Sequence, residues 1–173
     1  MDNAALFFLI FNLNGSSIGL DKLMIFGADY LIYITILLVF ILGIRGGIKD
    51  RKTLLLILLA WPIAVLIIKI IHLFFIEPRP FIQYNFSPLI NQYSDASFPS
   101  RHATTMAIPA FAYIYYKSKW AMLFIILMFW VGTARVFVGV HYPIDILGGI
   151  LVAIASLTVA VRIKNFLKIR FFS

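Results

Sequence analysis

The stretch ATTMAIPAFAYIYY, residues 103–116, decides how this chain folds. It is apolar but only 14 residues long, about 21 Å of helix at 1.5 Å per residue. A membrane crossing takes roughly 20 residues. Tyr115, Tyr116 and a snorkelling Lys117 can complete the crossing at the interface. If the segment crosses, the polar clusters on either side of it reach one membrane face. If it does not, they are divided between two faces.

The rest of the chain is rich in similar material. Of 173 residues, 62% are hydrophobic and only 13% charged, and the mean hydropathy is +0.99. Soluble domains carry about 25% charged residues, so the sequence is read as a membrane protein. No polar stretch is long enough to build a separate soluble core, and residues 1–173 are expected to form a single integral-membrane domain. The net charge is +8. Its basic residues flank apolar spans, which points to topology and anionic headgroups, with no nucleic acid as partner. With no cysteine, disulfides, thiolate nucleophiles and thiolate-bound metals are excluded.

The apolar runs predict an all-α polytopic bundle of about five transmembrane helices. Residues 5–13 form a short apolar run closed by Asn14-Gly15-Ser16-Ser17, read as an N-terminal interfacial helix. The N-terminus carries no basic residue ahead of this run, unlike a signal peptide. The spans are Leu23–Ile44, Thr53–Ile76 with a kink at Pro62, Ala103–Tyr116, Trp120–Val140 and Ile144–Val161. Residues 45–52 read as a basic turn. Five crossings place this turn, Lys117 with Lys119, and the tail with Arg162, Lys164, Lys168 and Arg170 on one side. The positive-inside tendency makes that side cytoplasmic. The connection 77–101 and the turn 141–143 then face outward from the plasma membrane, as does the N-terminus. Asp29, inside the first span, is read as a structural polar contact or a partner for a basic residue.

Three polar clusters punctuate this frame: Glu77-Pro78-Arg79-Pro80, Pro99-Ser100-Arg101-His102, and Arg135 followed by His141 and Asp145. Pro143 suits the first turn of a helix. It sets His141 just before that helix and Asp145 within its first turn. Such a carboxylate can fix one imidazole nitrogen and leave the other free to attack, or it can simply cap the helix. Ser100 is a good N-cap for the helix beginning near Ala103, and helix starts attract anions. His102 there can act as a proton donor. Arg79 and Arg135 suit phosphate, because guanidinium binds its oxygens in a fork and stays charged. Lys69 and His72 share a helix face one turn apart.

Together these clusters resemble the signature of the type 2 phosphatidic acid phosphatase (PAP2) superfamily. That signature is a Lys separated from Arg-Pro by six residues, a Pro-Ser-Gly-His, and a Ser-Arg followed by His after five intervening residues and Asp after three more. Arg79-Pro80, Pro99-Ser100-x-His102 and Arg135-x5-His141-x3-Asp145 match it in order and spacing. Within the superfamily, FIEPRPF (75–81), DASFPS (95–100) and VGVHYPID (138–145) resemble the small bacterial undecaprenyl-diphosphatase branch associated with bacitracin resistance. Three positions depart. The lysine position is His72, with Lys69 one turn earlier, and either can serve. Arg101 replaces the glycine and adds a charge able to reach a second phosphate. Ala134 replaces the serine.

The resemblance implies a metal-independent phosphohydrolase without cofactors. His141 would be the nucleophile forming a phosphohistidine, Asp145 its support and His102 the acid. Arg79, Arg135, Ser100, Arg101 and Lys69 or His72 would bind the substrate phosphate. The expected substrate is a polyprenyl diphosphate cleaved to the monophosphate, with membrane lipids as surroundings. Competing readings are a phosphatidylglycerophosphate or phosphatidate phosphatase, a zinc hydrolase on His102, His141 and Asp145, and a non-enzymatic transporter or lipid-binding protein.

Overall fold

The computed structural model describes residues 2–167. Lys168 and Arg170 of the basic tail lie outside the described residues. Eight helices follow in order: α1 Asn3–Phe11, α2 Ile18–Asp29, α3 Leu31–Arg45, α4 Ile48–Phe74, α5 Pro80–Gln83, α6 Arg101–Tyr115, α7 Ala121–Phe137 and α8 Pro143–Phe166. No strand occurs among the described residues, so the all-α expectation holds. Large apolar side chains cover the outside: Leu66 is 58% exposed and Leu73 and Phe74 each 77%. Such a surface needs lipid around it.

The decisive segment forms α6, which lies at the centre, packed against α3, α4, α7 and α8. Ala103, Ala107, Ala110 and Ala112 are fully buried along it, or nearly so. Small side chains let helices approach closely where lipid gives no hydrophobic drive to associate. Burial within the bundle also explains how a 15-residue helix with several polar residues is tolerated, since its neighbours shield it. Tyr113 stacks on Phe124 of α7 with ring centroids 4.5 Å apart.

By length and composition α4 and α8 each suit a membrane span, and α2 with α3 suits a third as a broken pair bent by 52°. A single helix over Leu23–Ile44 is therefore corrected to two helices meeting at Tyr30. The Ala28 carbonyl lies at this break and accepts Nη1 of Arg135 at 3.3 Å. A side chain inserted into the helix ladder is a recognised cause of a sharp bend. The basic turn 45–52 is also revised. Gly46-Gly47 makes the break, and Lys49 to Lys52 form the first turn of α4. Asp50 suits that helix start electrostatically and, buried, accepts Ser118 Oγ at 2.9 Å. Pro62 lies within α4 without ending it.

Two ends of the bundle result. Lys49 Nζ reaches the Lys117 carbonyl at 3.4 Å, and Lys164 Nζ reaches Tyr115 Oη at 3.1 Å. The basic segments thus gather at one end. At the opposite end α1 docks, capped by Asp2, whose Oδ1 accepts from Ala5 N at 2.7 Å. Its Phe7 is fully buried against Phe86 and Tyr142.

Candidate active site

The end opposite the basic segments is assembled from three chain turns. The first follows α7, which stops at Phe137, short of the expected Val140. Gly139 adopts φ +86°, a left-handed conformation open to glycine at little cost, and a Cβ there would meet Phe86 at 2.7 Å and Phe11 at 2.8 Å. This turn delivers His141. Tyr142 then caps α8: its N–H donates to Asp145 Oδ2 at 2.8 Å, while Asp145 N–H donates to the Tyr142 carbonyl at 3.0 Å.

The second turn is the connection between α4 and α6. It is closed by Ser97 N–H donating to the Glu77 carbonyl at 2.9 Å. The third is the start of α6, where Ser100 Oγ accepts from Ala103 N–H at 3.3 Å. Ser100 N–H donates to the Asp145 carbonyl at 3.0 Å, which ties the second and third clusters together. The approach is close enough that a Cβ on Gly149 would lie 2.6 Å from the Ser100 carbonyl oxygen.

Arg79 joins the first two turns. It is 2% exposed. Its Nε and Nη2 grip Asp95 Oδ1 at 3.0 and 2.8 Å. Nη1 donates to the Val140 carbonyl at 2.9 Å and lies 3.1 Å from His141 Nε2. His141 Nδ1 lies 3.3 Å from Asp145 Oδ2, which also accepts Ser97 Oγ at 2.5 Å. His141 is 2% exposed and Asp145 fully buried. Burial first, then the Arg135 and Arg79 charges, hold the His141 imidazole well below the ordinary histidine value. Near neutral pH the ring is uncharged. With its Nδ1–H directed at Asp145, the Nε2 lone pair faces Arg79. This is the arrangement of an oriented nitrogen nucleophile beside an anion clamp.

Arg135, also 2% exposed, is braced by the Ala28 carbonyl and by Gln92 Oε1, the latter 2.5 Å from its Nη2. Its Nε is buried without a partner, and Asp29 lies within electrostatic range of it but forms no ion pair with it. His102 is half-buried at the start of α6, within electrostatic range of Arg135, His141 and Arg79. Arg101 is largely exposed and ion-paired with Asp95. Lys69 and His72 stand outside the hydrogen-bonded cluster. They line a neighbouring cavity with Arg101 and Thr104.

Three residues of the cluster carry no expected role from sequence: Gln92, Asp95 and Ser97. Asp95 holds both Arg79 and Arg101. Burial would raise its carboxyl, but Arg79 and Arg101 outweigh that and hold it below the usual carboxylate range.

A family model described as the PAP2 superfamily matches residues 52–169. The chain belongs to the PAP2 superfamily. Undecaprenyl-diphosphatase BcrC of Bacillus subtilis is 32% identical over 152 residues, 88% of this chain and 79% of that protein. The crystal structure of Aquifex aeolicus LpxE is similar at a TM-score of 0.73 and 26% identity, over 92% of this chain and 94% of that one. A Bacillus subtilis PAP2-type phosphatidylglycerolphosphate phosphatase shares the fold at a TM-score of 0.67 and 21% identity, over 94% and 84%. This PAP2 protein is therefore a membrane phosphatase, and all three signature clusters lie in the matched region.

Proposed function

We propose that this phosphatase cleaves a polyprenyl diphosphate to the monophosphate on the outer face of the cell membrane, through a phosphohistidine on His141. The observation that carries this reading is the buried line from Arg79 through His141 to Asp145. It aims a neutral nitrogen at the place where a guanidinium would hold phosphate.

In the first step the terminal phosphoryl group displaces the Nε2 contact of Arg79 and takes up its Nη1. Nε2 attacks phosphorus in line. The new P–N bond forms as the P–O bond to the polyprenyl monophosphate breaks. His102, its pKa lowered to about 3 by burial and then by Arg135, takes up a proton beside the negative charge of the bound diphosphate and gives it to the departing oxygen. Asp145 stabilises the charge arising on the ring. In the second step water attacks phosphorus, His102 takes its proton, and phosphate leaves with Nε2 restored. Charge spreads over the equatorial oxygens in such a transfer, so Arg79, Arg135 and the start of α6 after Ser100 act mainly electrostatically.

The substrate class is supported by the likeness to BcrC, whose name gives undecaprenyl diphosphate as what it acts on. The outward face is supported by the basic segments at the opposite end. Five crossings follow if α6 and α7 each span, and the whole then acts as one integral-membrane domain.

The test is turnover of a polyprenyl diphosphate labelled at the terminal phosphate, with phosphatidylglycerophosphate and phosphatidate as competitors and with excess chelator present. Wild-type enzyme is expected to release phosphate and to trap an acid-labile label that His141→Ala lacks. Label retained in His141→Ala, or preference for a competitor, overturns the reading. Activity abolished by chelator favours the zinc hydrolase instead.

A further inference from the structure

The site described so far has places for one phosphate. Beside it, between α4 and α6, lies a cavity of about 210 Å³. A single water needs only about 10–15 Å³. Lys69, His72 and Arg101 line it together with Thr104 and Thr105, and no carboxylate does. Lys69 and His72 rise from the same face of α4, about 4.5 Å apart along its axis. His72 Nε2 is buried without a hydrogen-bond partner. Among the described residues no acidic group pairs with either side chain. Basic and hydrogen-bonding side chains without an acidic partner in a membrane protein point to a functional site, and this set suits an anion.

The cavity joins two neighbours. Towards the catalytic cluster it is bounded by Arg101, which shares Asp95 with Arg79. On its other side it shares Trp61 and Thr105 with an apolar groove, whose walls include Val39, Ile57 and Pro109. The sequence of environments is nucleophile with guanidinium, then a basic cavity, then hydrocarbon. A lipid diphosphate has the same order: transferred phosphate, second phosphate, tail.

We infer that Lys69, His72 and Arg101 form a subsite for the phosphate that is not transferred, and that this subsite selects lipid diphosphates over lipid monophosphates. The inference rests on the diphosphatase reading above. Arg101 swings from Asp95 to the bridging region on binding, and Lys69 holds the lipid-linked phosphate from the side facing the groove.

Two measurements on the full-length purified enzyme test this. The first compares kcat/KM for a polyprenyl diphosphate and the matching monophosphate. The diphosphate preference is expected to fall about tenfold or more in Lys69→Gln, the scale of one lost charge-assisted hydrogen bond, and to survive in Lys69→Arg. An unchanged preference in Lys69→Gln overturns the subsite, whatever happens to the overall rate. The second measures binding of methylenediphosphonate and orthophosphate by thermal shift. The diphosphonate is expected to bind more tightly, with that advantage lost in Lys69→Gln and in His72→Leu. No advantage in the wild type, or one that both variants keep, overturns the subsite. If the enzyme turns over monophosphates alone, the diphosphatase reading fails while the binding measurement still decides the subsite.

Discussion

Arg79 and His141 occupy each other in the resting enzyme, and neither group is placed to act without a third. The Nε2 lone pair is directed by the Asp145 contact on the opposite nitrogen, 3.3 Å away. Replacing Asp145 with Asn keeps the shape but offers an amide where a carboxylate stood. The expected fall in kcat is about 10²–10⁴-fold, with KM little changed, by steady-state turnover. On the proposed mechanism His141→Ala removes the nucleophile and is expected to lose at least about 10³-fold. A pH profile separates positioning from charge. In the proposed reaction His141 attacks only when neutral, and its ionisation is pushed downward by burial and then by Arg135 and Arg79. The acid limb of kcat/KM is therefore expected below pH 6.5, the ordinary histidine value. Removing a neighbouring positive charge makes protonation easier, so in Arg79→Gln the limb of the residual activity moves to higher pH. A limb that stays in place would mean another group titrates there.

The elements meet at a few close contacts, and one of them at the site is between the start of α6 and α8. A methyl group on Gly149 would press on the Ser100 carbonyl at 2.6 Å. Gly149→Ala is expected to cost about 1–3 kcal/mol, seen as a lower unfolding temperature in detergent. Activity falls with it, because Ser100 N–H and the Asp145 carbonyl are drawn apart. Much of this layout is legible in sequence. Pro143 and Asp145 mark the start of α8, Ser100 marks the start of α6, and the spacing of Arg79, His102, Arg135 and His141 is kept by rigid helices. What is not legible lies where periodicity is absent. Asp95, Ser97 and Gln92 sit in a connection whose path is set by tertiary contacts, so their side-chain partners have no sequence spacing to betray them. The bend at Tyr30 is hidden for a related reason: its carbonyl partner, Arg135, is 107 residues away. The start of α4 at Ile48 was obscured by its charges, which read as a turn until the Asp50 to Ser118 contact explains them.

At the scale of the molecule, the proposed topology sets the basic end and the signature end on opposite faces of the membrane. The chain has no cysteine, so single cysteines report on that direction without background. Tyr93, 87% exposed, lies in the connection that builds the site, and Lys119 lies at the basic end. A membrane-impermeant maleimide is expected to label Tyr93→Cys in intact cells and Lys119→Cys only after lysis. The opposite pattern would put the active site inside. The brace on Arg135 has a consequence of another kind. The family match begins at residue 52, yet Arg135 leans on the Ala28 carbonyl, and the first turn of α8 leans on Asn3. A chain beginning at Ile48 would keep every signature residue and still lack two struts of its reaction centre. Such a truncation is expected to insert and yet turn over substrate feebly, and a separately produced piece carrying residues 1–47 would restore it. Such restoration would make the catalytic unit of this phosphatase wider than its family hallmark, with its leading helices part of the machinery rather than of the mooring.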